Sequence, residues 1–173
     1  MNVLFELMKI LLPAALVFVA VYFVLKQMLE RERQVDMIEL RKGSQKIITP
    51  LKIQAYERIV LFLERISPNS LVMRVHKTGM SGRLLQADLL KSIREEYEHN
   101  LSQQIYVSDK TWDVICQAKE EIVQLLTVAG SKVPADATGM DLSKMIFQIC
   151  QELGSLPTDK AVMQVKGEFR KVI

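Results

Sequence analysis

The stretch RLLQADLLKSIREEYEHNLSQQIY, residues 83–106, decides the fold class of this chain. Apolar or aromatic side chains recur at every fourth position of the stretch, namely Leu85, Leu89, Ile93, Tyr97, Leu101 and Ile105. Side chains four residues apart share one face of an α-helix, which advances by about 100° per residue. Ser81 precedes the stretch and can cap its first turn with the side-chain hydroxyl. The pattern predicts one amphipathic helix over residues 83–106.

The other segments after residue 47 are also patterned for helices. Predicted helices cover residues 51–66, 109–129, 140–153 and 158–173. Capping hydroxyls or a proline mark the starts of three of these helices, at Thr49-Pro50, Ser108 and Thr158. Glycines mark two helix ends, at Gly130 and Gly154. In the last helix Val162, Val165, Phe169 and Ile173 hold one face. Residues 70–75 fit a strand or a turn of helix, and helix is preferred because a lone strand has no partner. We therefore expect an all-α bundle.

The N-terminal segment has a different composition. Residues 10–25, ILLPAALVFVAVYFVL, contain no charged side chain. Sixteen helical residues span about 24 Å, and extension back to Val3 brings the segment to the length that a bilayer core of about 30 Å requires. A cleaved signal peptide would need small residues after the apolar run, and none is present there. Residues 1–26 are therefore predicted to be an uncleaved transmembrane anchor.

Residues 26–42 contain no helix breaker, so they are predicted to continue the anchor as a helix, which GSQ (43–45) then breaks. This assigns residues 27–46 to a helical stalk or linker and residues 47–173 to the helical domain. Basic residues are far more numerous after the apolar segment than before it. By the positive-inside rule the domain is expected to face the cytoplasm. Cys116 and Cys150 agree with a reducing compartment.

Composition and motifs argue against several functional classes. A net charge of +3 is too small to indicate nucleic-acid binding. There is no nucleotide-binding glycine loop and no nucleophile motif, so we expect neither an enzyme nor a cofactor. Glu96 and His99 form the Glu-x-x-His unit of di-iron bundles, but such a site needs a second unit and two further glutamates. The other histidine, His76, lacks this spacing, so no metal is expected.

One loop is a candidate ligand-binding site. In RVHKTGMSGR (74–83), Arg74, His76, Lys77 and Arg83 surround two glycines just before a predicted helix N-terminus. Backbone N–H groups and positive charge at such a place suit an anion, for example phosphate or a phospholipid head group. The alternative is an ordinary solvated loop in which the glycines serve the turn.

A second candidate lies inside the 83–106 helix. On a continuous helix Asn100 and Gln104 fall on or beside the apolar face, close to Tyr97. There they are expected to be buried and hydrogen-bonded, because an unsatisfied polar group in the core is costly. His99 and Gln103 fall on the opposite, outer face. The polar cluster is thus predicted to be a structural network and not one convergent site.

Two stretches resemble a known family. PLKIQAYERIVLFLERISPNSLVMRV (50–75) and IREEYEHNLSQQIYVSDKTWDVI (93–115), placed after an N-terminal apolar segment, resemble an uncharacterised family of single-pass inner-membrane proteins of Bacteroidota-type bacteria. The resemblance implies a membrane-anchored cytoplasmic helical domain, and it transfers no activity and no site residues.

Two functions fit these patterns. The first is a membrane-anchored interaction or scaffold module that binds a protein partner or a second copy of itself. The alternative is a regulator that binds an anionic ligand or a phospholipid head group through the loop 74–83.

Overall fold

A computed structural model describes the backbone of residues 2–172 and the side chains of residues 16–31 and 45–171. Its helices are α1 (Asn2–Ile66), α2 (Pro68–Val75), α3 (Gly82–Asn100), a 3₁₀ segment (Leu101–Tyr106), α4 (Asp109–Lys132), α5 (Gly139–Leu153) and α6 (Pro157–Val172). Within this part of the chain the only β pairing is an isolated bridge between Ser81 and Thr138. The all-α prediction is therefore confirmed.

The chain divides into two compact units, Met1–Pro50 and Leu51–Ile173. Large apolar side chains of the first unit are solvent-exposed over residues 16–29, from 49% for Val19 to 74% for Phe18. Among the residues with described side chains, no helix is both long enough and apolar enough to cross a membrane. Residues 1–15 of the predicted anchor lie outside the described side chains.

Helix α1 corrects two predictions. It does not end at residues 43–45 and does not begin again at Thr49-Pro50, because the helix continues through both places. A glycine costs a helix only about 1 kcal/mol relative to alanine, which the good helix formers on either side can offset. Pro50 removes one backbone hydrogen bond without ending the helix. Local signals therefore gave the end of α1 at Ile66 correctly, but not its start.

The second unit is a bundle around one apolar core. Residues 51–66 of α1 bury one face, and α3, α4, α5 and α6 bury theirs against it, as their apolar periodicity predicts. The largest fully buried side chains include Phe62, Leu63, Leu89, Ile93, Ile115, Ile122, Leu126 and Ile146. Each such side chain contributes about 1.5–3 kcal/mol on transfer from water. Helix α2 covers one end of the core with Leu71 and Val72, and its helical prediction is confirmed.

The helix ends agree with the sequence in part. The hydroxyls of Ser81 and Ser108 cap α3 and α4 as predicted, accepting the backbone N–H groups of Leu84 and Thr111 at 3.3 Å. Gly130 does not end α4, which continues to Lys132. A Cβ at Gly130 would lie 2.4 Å from the side-chain amide of Gln86, so this glycine permits close packing against α3.

The prediction for Thr158 is also corrected. Thr158 lies inside the first turn of α6 and is 2% exposed, and its hydroxyl has no hydrogen-bond partner within the described structure. The carboxylate of Asp159 instead accepts the backbone N–H of Leu156 at 3.3 Å. The apolar face of α6 is otherwise as expected, with Val162 and Val165 buried. Ile173 lies outside the described residues.

The 83–106 segment departs from its predicted continuous helix. The α-helix ends at Asn100 and continues as a 3₁₀ helix over Leu101–Tyr106. A 3₁₀ helix has 3.0 residues per turn, so the phase of the side chains shifts beyond Asn100. Leu101 and Ile105 are consequently 41% and 74% exposed, although the four-residue spacing predicted both on the buried face.

Candidate functional site

Glu168 of α6 connects three helices of the second unit. Its Oε1 atom accepts hydrogen bonds from the Tyr56 hydroxyl at 2.7 Å and from the Ser108 backbone N–H at 2.9 Å. Its Oε2 atom accepts the hydroxyl protons of Ser108 and Thr111. Tyr56 belongs to α1, whereas Ser108 and Thr111 open α4. One carboxylate therefore fixes α1 and the start of α4 to α6.

The protonation states in this cluster follow from its contacts. Burial by itself raises the pKa of Glu168, but the hydrogen bonds from Ser108, Thr111 and Tyr56 favour the ionised form more strongly and lower the pKa to about 2. Burial, and then the hydrogen bond to this carboxylate, raises the pKa of Tyr56 far above its ordinary value. At neutral pH Glu168 is thus an anion, and Tyr56 remains a hydrogen-bond donor.

An apolar groove runs beside this cluster, between the domain part of α1 and α6. It has a volume of about 530 Å³. Five apolar side chains line it, namely Ile53, Val60, Leu61, Val165 and Phe169. Tyr56 and two oppositely charged residues, Glu57 on α1 and Lys166 on α6, complete its walls. We call this depression the apolar groove.

A second depression shares Tyr56 with the apolar groove, but its walls combine lysines and other polar residues with the apolar side chains of Ile105 and Val107. Its volume is about 620 Å³. Polar and small residues of α1, the 3₁₀ segment, α4 and α6 line it, among them Lys52, Tyr106, Lys110, Gln164, Gly167 and Lys171. Glu168 contributes the one carboxylate among the lining residues of this depression. We call it the lysine cavity.

The residues of the predicted anion loop face different partners. The Arg74 guanidinium hydrogen-bonds to Glu96 at 3.2 Å and to the Ser92 hydroxyl at 3.1 Å. The ring of His76 lies against α5, where a Cβ at Gly139 would be 3.1 Å from it. Lys77 and Arg83 are exposed. Arg74 is thus engaged by Glu96, whereas Lys77 and Arg83 are open to solvent, and anion binding by this loop stays a prediction.

The N-terminus of α3, which this loop precedes, already has hydrogen-bond acceptors of its own. The N–H of Gly82 donates to the carbonyl of Ala137 at 2.8 Å, and the N–H of Leu84 donates to the Ser81 hydroxyl. A Cβ at Gly82 would approach the Ala137 carbonyl oxygen to 3.1 Å, so the glycine permits this contact. These bonds leave fewer free donors for an anion than the sequence suggested.

Glu96 and His99, the single Glu-x-x-His unit, have different surroundings. Glu96 pairs with Arg65 at 2.6 Å and with Arg74 at 3.2 Å, joining α1, α2 and α3. His99 is exposed, as predicted. Within the described part of the chain, no three His, Cys, Asp or Glu side chains are grouped closely enough to hold a metal ion.

The predicted buried network of Tyr97, Asn100 and Gln104 is only partly present. Asn100 is half-buried, and its side-chain amide donates to the Glu96 carbonyl of its own helix at 2.8 Å. Gln104 is exposed and Gln103 is 8% exposed, the reverse of the prediction. The change to 3₁₀ geometry after Asn100 exchanges the positions of the two glutamines.

Tyr97 belongs instead to an aromatic cluster. Its ring stacks on Trp112 with centroids 6.0 Å apart, and the Lys119 ammonium lies 4.4 Å from the ring centroid. Its hydroxyl contacts the Cys116 sulfur at 3.6 Å. Burial and this contact raise the pKa of Tyr97 to about 12. The cluster packs α3 against α4.

Sequence reasoning missed the Glu168 cluster. Its members Tyr56, Ser108, Thr111 and Glu168 come from three separated segments, and only Ser108 carried a local signal, as a helix cap. A pointer was available in the periodicity of α6, since Glu168 is adjacent in sequence to Phe169 of the apolar face. The cluster itself could not be recognised from the sequence, because the sequence does not show which helices pack beside α6.

These features define a helical domain that offers two depressions of contrasting chemistry beside one carboxylate cluster. A family of unknown function, DUF7935, matches residues 2–172. The chain belongs to this family. No curated protein and no solved structure matches the chain.

Proposed function

We propose that the protein is a membrane-tethered interaction module whose helical domain pairs with a second copy of itself through the apolar groove. The groove is the observation that carries the proposal. A shallow apolar channel between two helices is the surface on which helical partners commonly dock.

Two features of the groove favour a macromolecular partner. Leu61 is 59% exposed at its edge, although full burial of a leucine contributes about 1.5–3 kcal/mol. Ile53, Glu57, Val60 and Leu61 recur at helical spacing, so they present one continuous strip of α1. A strip of this kind fits another helix better than it fits a compact small molecule.

Charge complementarity favours a second copy as the partner. Glu57 stands on one wall of the groove and Lys166 on the other, and neither has an ion-pair partner among the described side chains. A twofold interface is self-complementary, so Glu57 of each protomer can face Lys166 of the partner subunit. The two pairs would flank the apolar strip and fix its register.

The first unit supports membrane attachment. Residues 10–25 lack charge, and Lys9 and Lys26 bound them. Between residues 16 and 25 the apolar side chains are exposed on all faces of the helix, which water solvates poorly but lipid tolerates. The excess of Lys and Arg after this segment favours a cytoplasmic domain. The resemblance to inner-membrane proteins of Bacteroidota-type bacteria favours a bacterial inner membrane as the location.

The pairing is tested with the full chain in a neutral detergent. Molar mass from light scattering during size-exclusion chromatography should correspond to two chains at micromolar concentration. Leu61→Asp places a charge in the strip and should shift the mass to one chain. Met73→Asp is the matched control, because Met73 is 79% exposed on α2 and does not line the groove. A monomeric wild type, or a dimeric Leu61→Asp variant, would refute the proposed pairing.

Membrane attachment and orientation need a separate test. After Cys116 and Cys150 are replaced by Ser, a cysteine is placed at the exposed residue Ala135. The protein should stay with the membrane fraction in alkaline carbonate. The new thiol should resist an impermeant maleimide in intact cells and react after lysis. Release by carbonate would exclude integral attachment, and labelling of intact cells would reverse the orientation.

A further inference from the structure

We infer that the lysine cavity is a binding site for a phosphate group carried by a small molecule or by a lipid head group. This site is distinct from the loop 74–83 and from the apolar groove used in the proposed pairing. Its volume of about 620 Å³ lies within the range of about 300–1,000 Å³ that is usual for small-molecule pockets.

The charge of the cavity selects an anion. Lys52, Lys110 and Lys171 come from three different helices and line one depression. None of their ammonium groups lies within 4 Å of a carboxylate oxygen among the described side chains. Three like charges held around one space repel each other, and a bound anion would relieve this repulsion.

The single acid of the cavity does not neutralise these lysines through direct pairing. Both oxygens of Glu168 are engaged by the donors of Tyr56, Ser108 and Thr111. With Glu168 ionised, three ammonium groups and one carboxylate leave an excess of two positive charges. A phosphate monoester carries about 1.5–2 negative charges at pH 7 and matches that excess better than a monocarboxylate does.

Gly167 lines the cavity at a position where packing does not require a glycine. A Cβ at Gly167 would have no atom within 4 Å beyond its neighbours, although glycine inside a helix costs about 1 kcal/mol relative to alanine. Gln164, one turn earlier, lines the same wall and donates one amide hydrogen to the Thr111 hydroxyl at 3.3 Å, leaving its second amide hydrogen for a ligand.

Isothermal titration calorimetry of the full chain with inorganic phosphate tests the site, in neutral detergent at constant ionic strength. The triple variant Lys52→Gln/Lys110→Gln/Lys171→Gln should bind phosphate at least about tenfold more weakly than wild type, because each ammonium contributes a charge-assisted contact. The matched control Lys132→Gln/Lys144→Gln/Lys160→Gln makes the same change of charge at exposed positions outside the cavity and should bind like wild type. Lys77→Gln/Arg83→Gln, in the loop 74–83, should also bind like wild type.

Two further arms make the result decisive. Gly167→Leu fills open space on a helix, so it should preserve the fold, shown by the fluorescence of the single Trp112, and still weaken phosphate binding. Dioctanoyl phosphatidic acid distinguishes the sources, since tighter binding than inorganic phosphate indicates a lipid head group and equal binding indicates a soluble phosphate. The inference is overturned if wild type does not bind phosphate, or if wild type and the Lys52/Lys110/Lys171 variant bind equally.

Discussion

The apolar groove and the lysine cavity share helices α1 and α6, yet their chemistry differs, and only the cavity is also lined by the 3₁₀ segment and α4. The groove is lined by aliphatic and aromatic side chains with one acid and one base, whereas the cavity carries three lysines. On α6, Val165 and Phe169 belong to the groove, while Gln164, Gly167 and Lys171 belong to the cavity. Within each set the residues are three or four positions apart, so each set shares one face of the helix.

Tyr56 marks the boundary, because it lines both depressions. Its ring packs edge-on against Phe169, with centroids 5.3 Å apart, and its hydroxyl binds Glu168. An amphipathic helix ordinarily turns its apolar face to the core and its polar face to water. Here a hydrogen-bonded tyrosine divides two surface depressions, so their separation depends on the Glu168 cluster.

Loss of Glu168 should have the largest effect on this division. In Glu168→Ala the hydroxyls of Tyr56 and Thr111 and the N–H of Ser108 lose their acceptor, and Thr111 is fully buried. Each buried unsatisfied group costs about 1–3 kcal/mol, so we expect a loss of about 3 kcal/mol in the free energy of unfolding. Urea unfolding of the full chain, followed by Trp112 fluorescence, measures it.

Glu95→Ala is the matched control for this variant. Glu95 is exposed and forms only a surface pair with Lys91 at 3.8 Å, so the change should stay within about 0.5 kcal/mol. Equal effects of Glu168→Ala and Glu95→Ala would show that the carboxylate cluster does not hold α1, α4 and α6 together.

The Glu168 cluster should also make the free energy of unfolding depend on pH, with a smaller effect than that of Glu168→Ala. Because the pKa of Glu168 is lowered from 4.5 to about 2, its ionised form stabilises the fold above pH 4.5, and this contribution is lost as pH falls toward 2. We expect wild type to lose about 1–2 kcal/mol more than Glu168→Gln over this interval, a value reduced because the side chain is partly solvated. Parallel pH profiles of the two proteins would contradict the assignment.

Apolar periodicity was enough to predict the all-α fold and the buried residues of α3 up to Ile93, while local signals predicted the end of α1 at Ile66. It failed where a helix changed type without a local signal. Nothing in LSQQIY (101–106) marks a 3₁₀ segment, so Gln103 and Gln104 were placed on the wrong faces. Periodicity also does not reveal that Arg74 of the loop 74–83 hydrogen-bonds to Glu96, a partner more than twenty positions away. The groove and the cavity depend on the packing of α1 beside α6, which periodicity alone does not determine.

Substitutions in and beside the 3₁₀ segment 101–106 should have the smallest effects on the free energy of unfolding. Gln103→Ala removes a side chain that is 8% exposed and should cost about 1 kcal/mol, mainly through lost packing. Gln104→Ala and His99→Ala alter exposed positions and should each cost less than about 0.5 kcal/mol. The same urea titrations compare the three variants. A larger loss of unfolding free energy for Gln104→Ala than for Gln103→Ala would contradict the 3₁₀ segment and support a continuous α-helix.

Exchange of the two charges beside the apolar groove tests the proposed pairing most directly. Glu57→Lys alone sets lysine against Lys166 of the partner subunit at both edges, and Lys166→Glu alone sets two glutamates together, so each variant should be monomeric by light scattering. An equimolar mixture of the two should regain the dimer mass, because opposite charges then face each other at both edges, with affinity at least about tenfold above either variant alone. The double variant Glu57→Lys/Lys166→Glu should dimerise by itself. If the mixture and the double variant stay monomeric, or if both single variants remain dimers, the groove is not a twofold interface between copies of this chain.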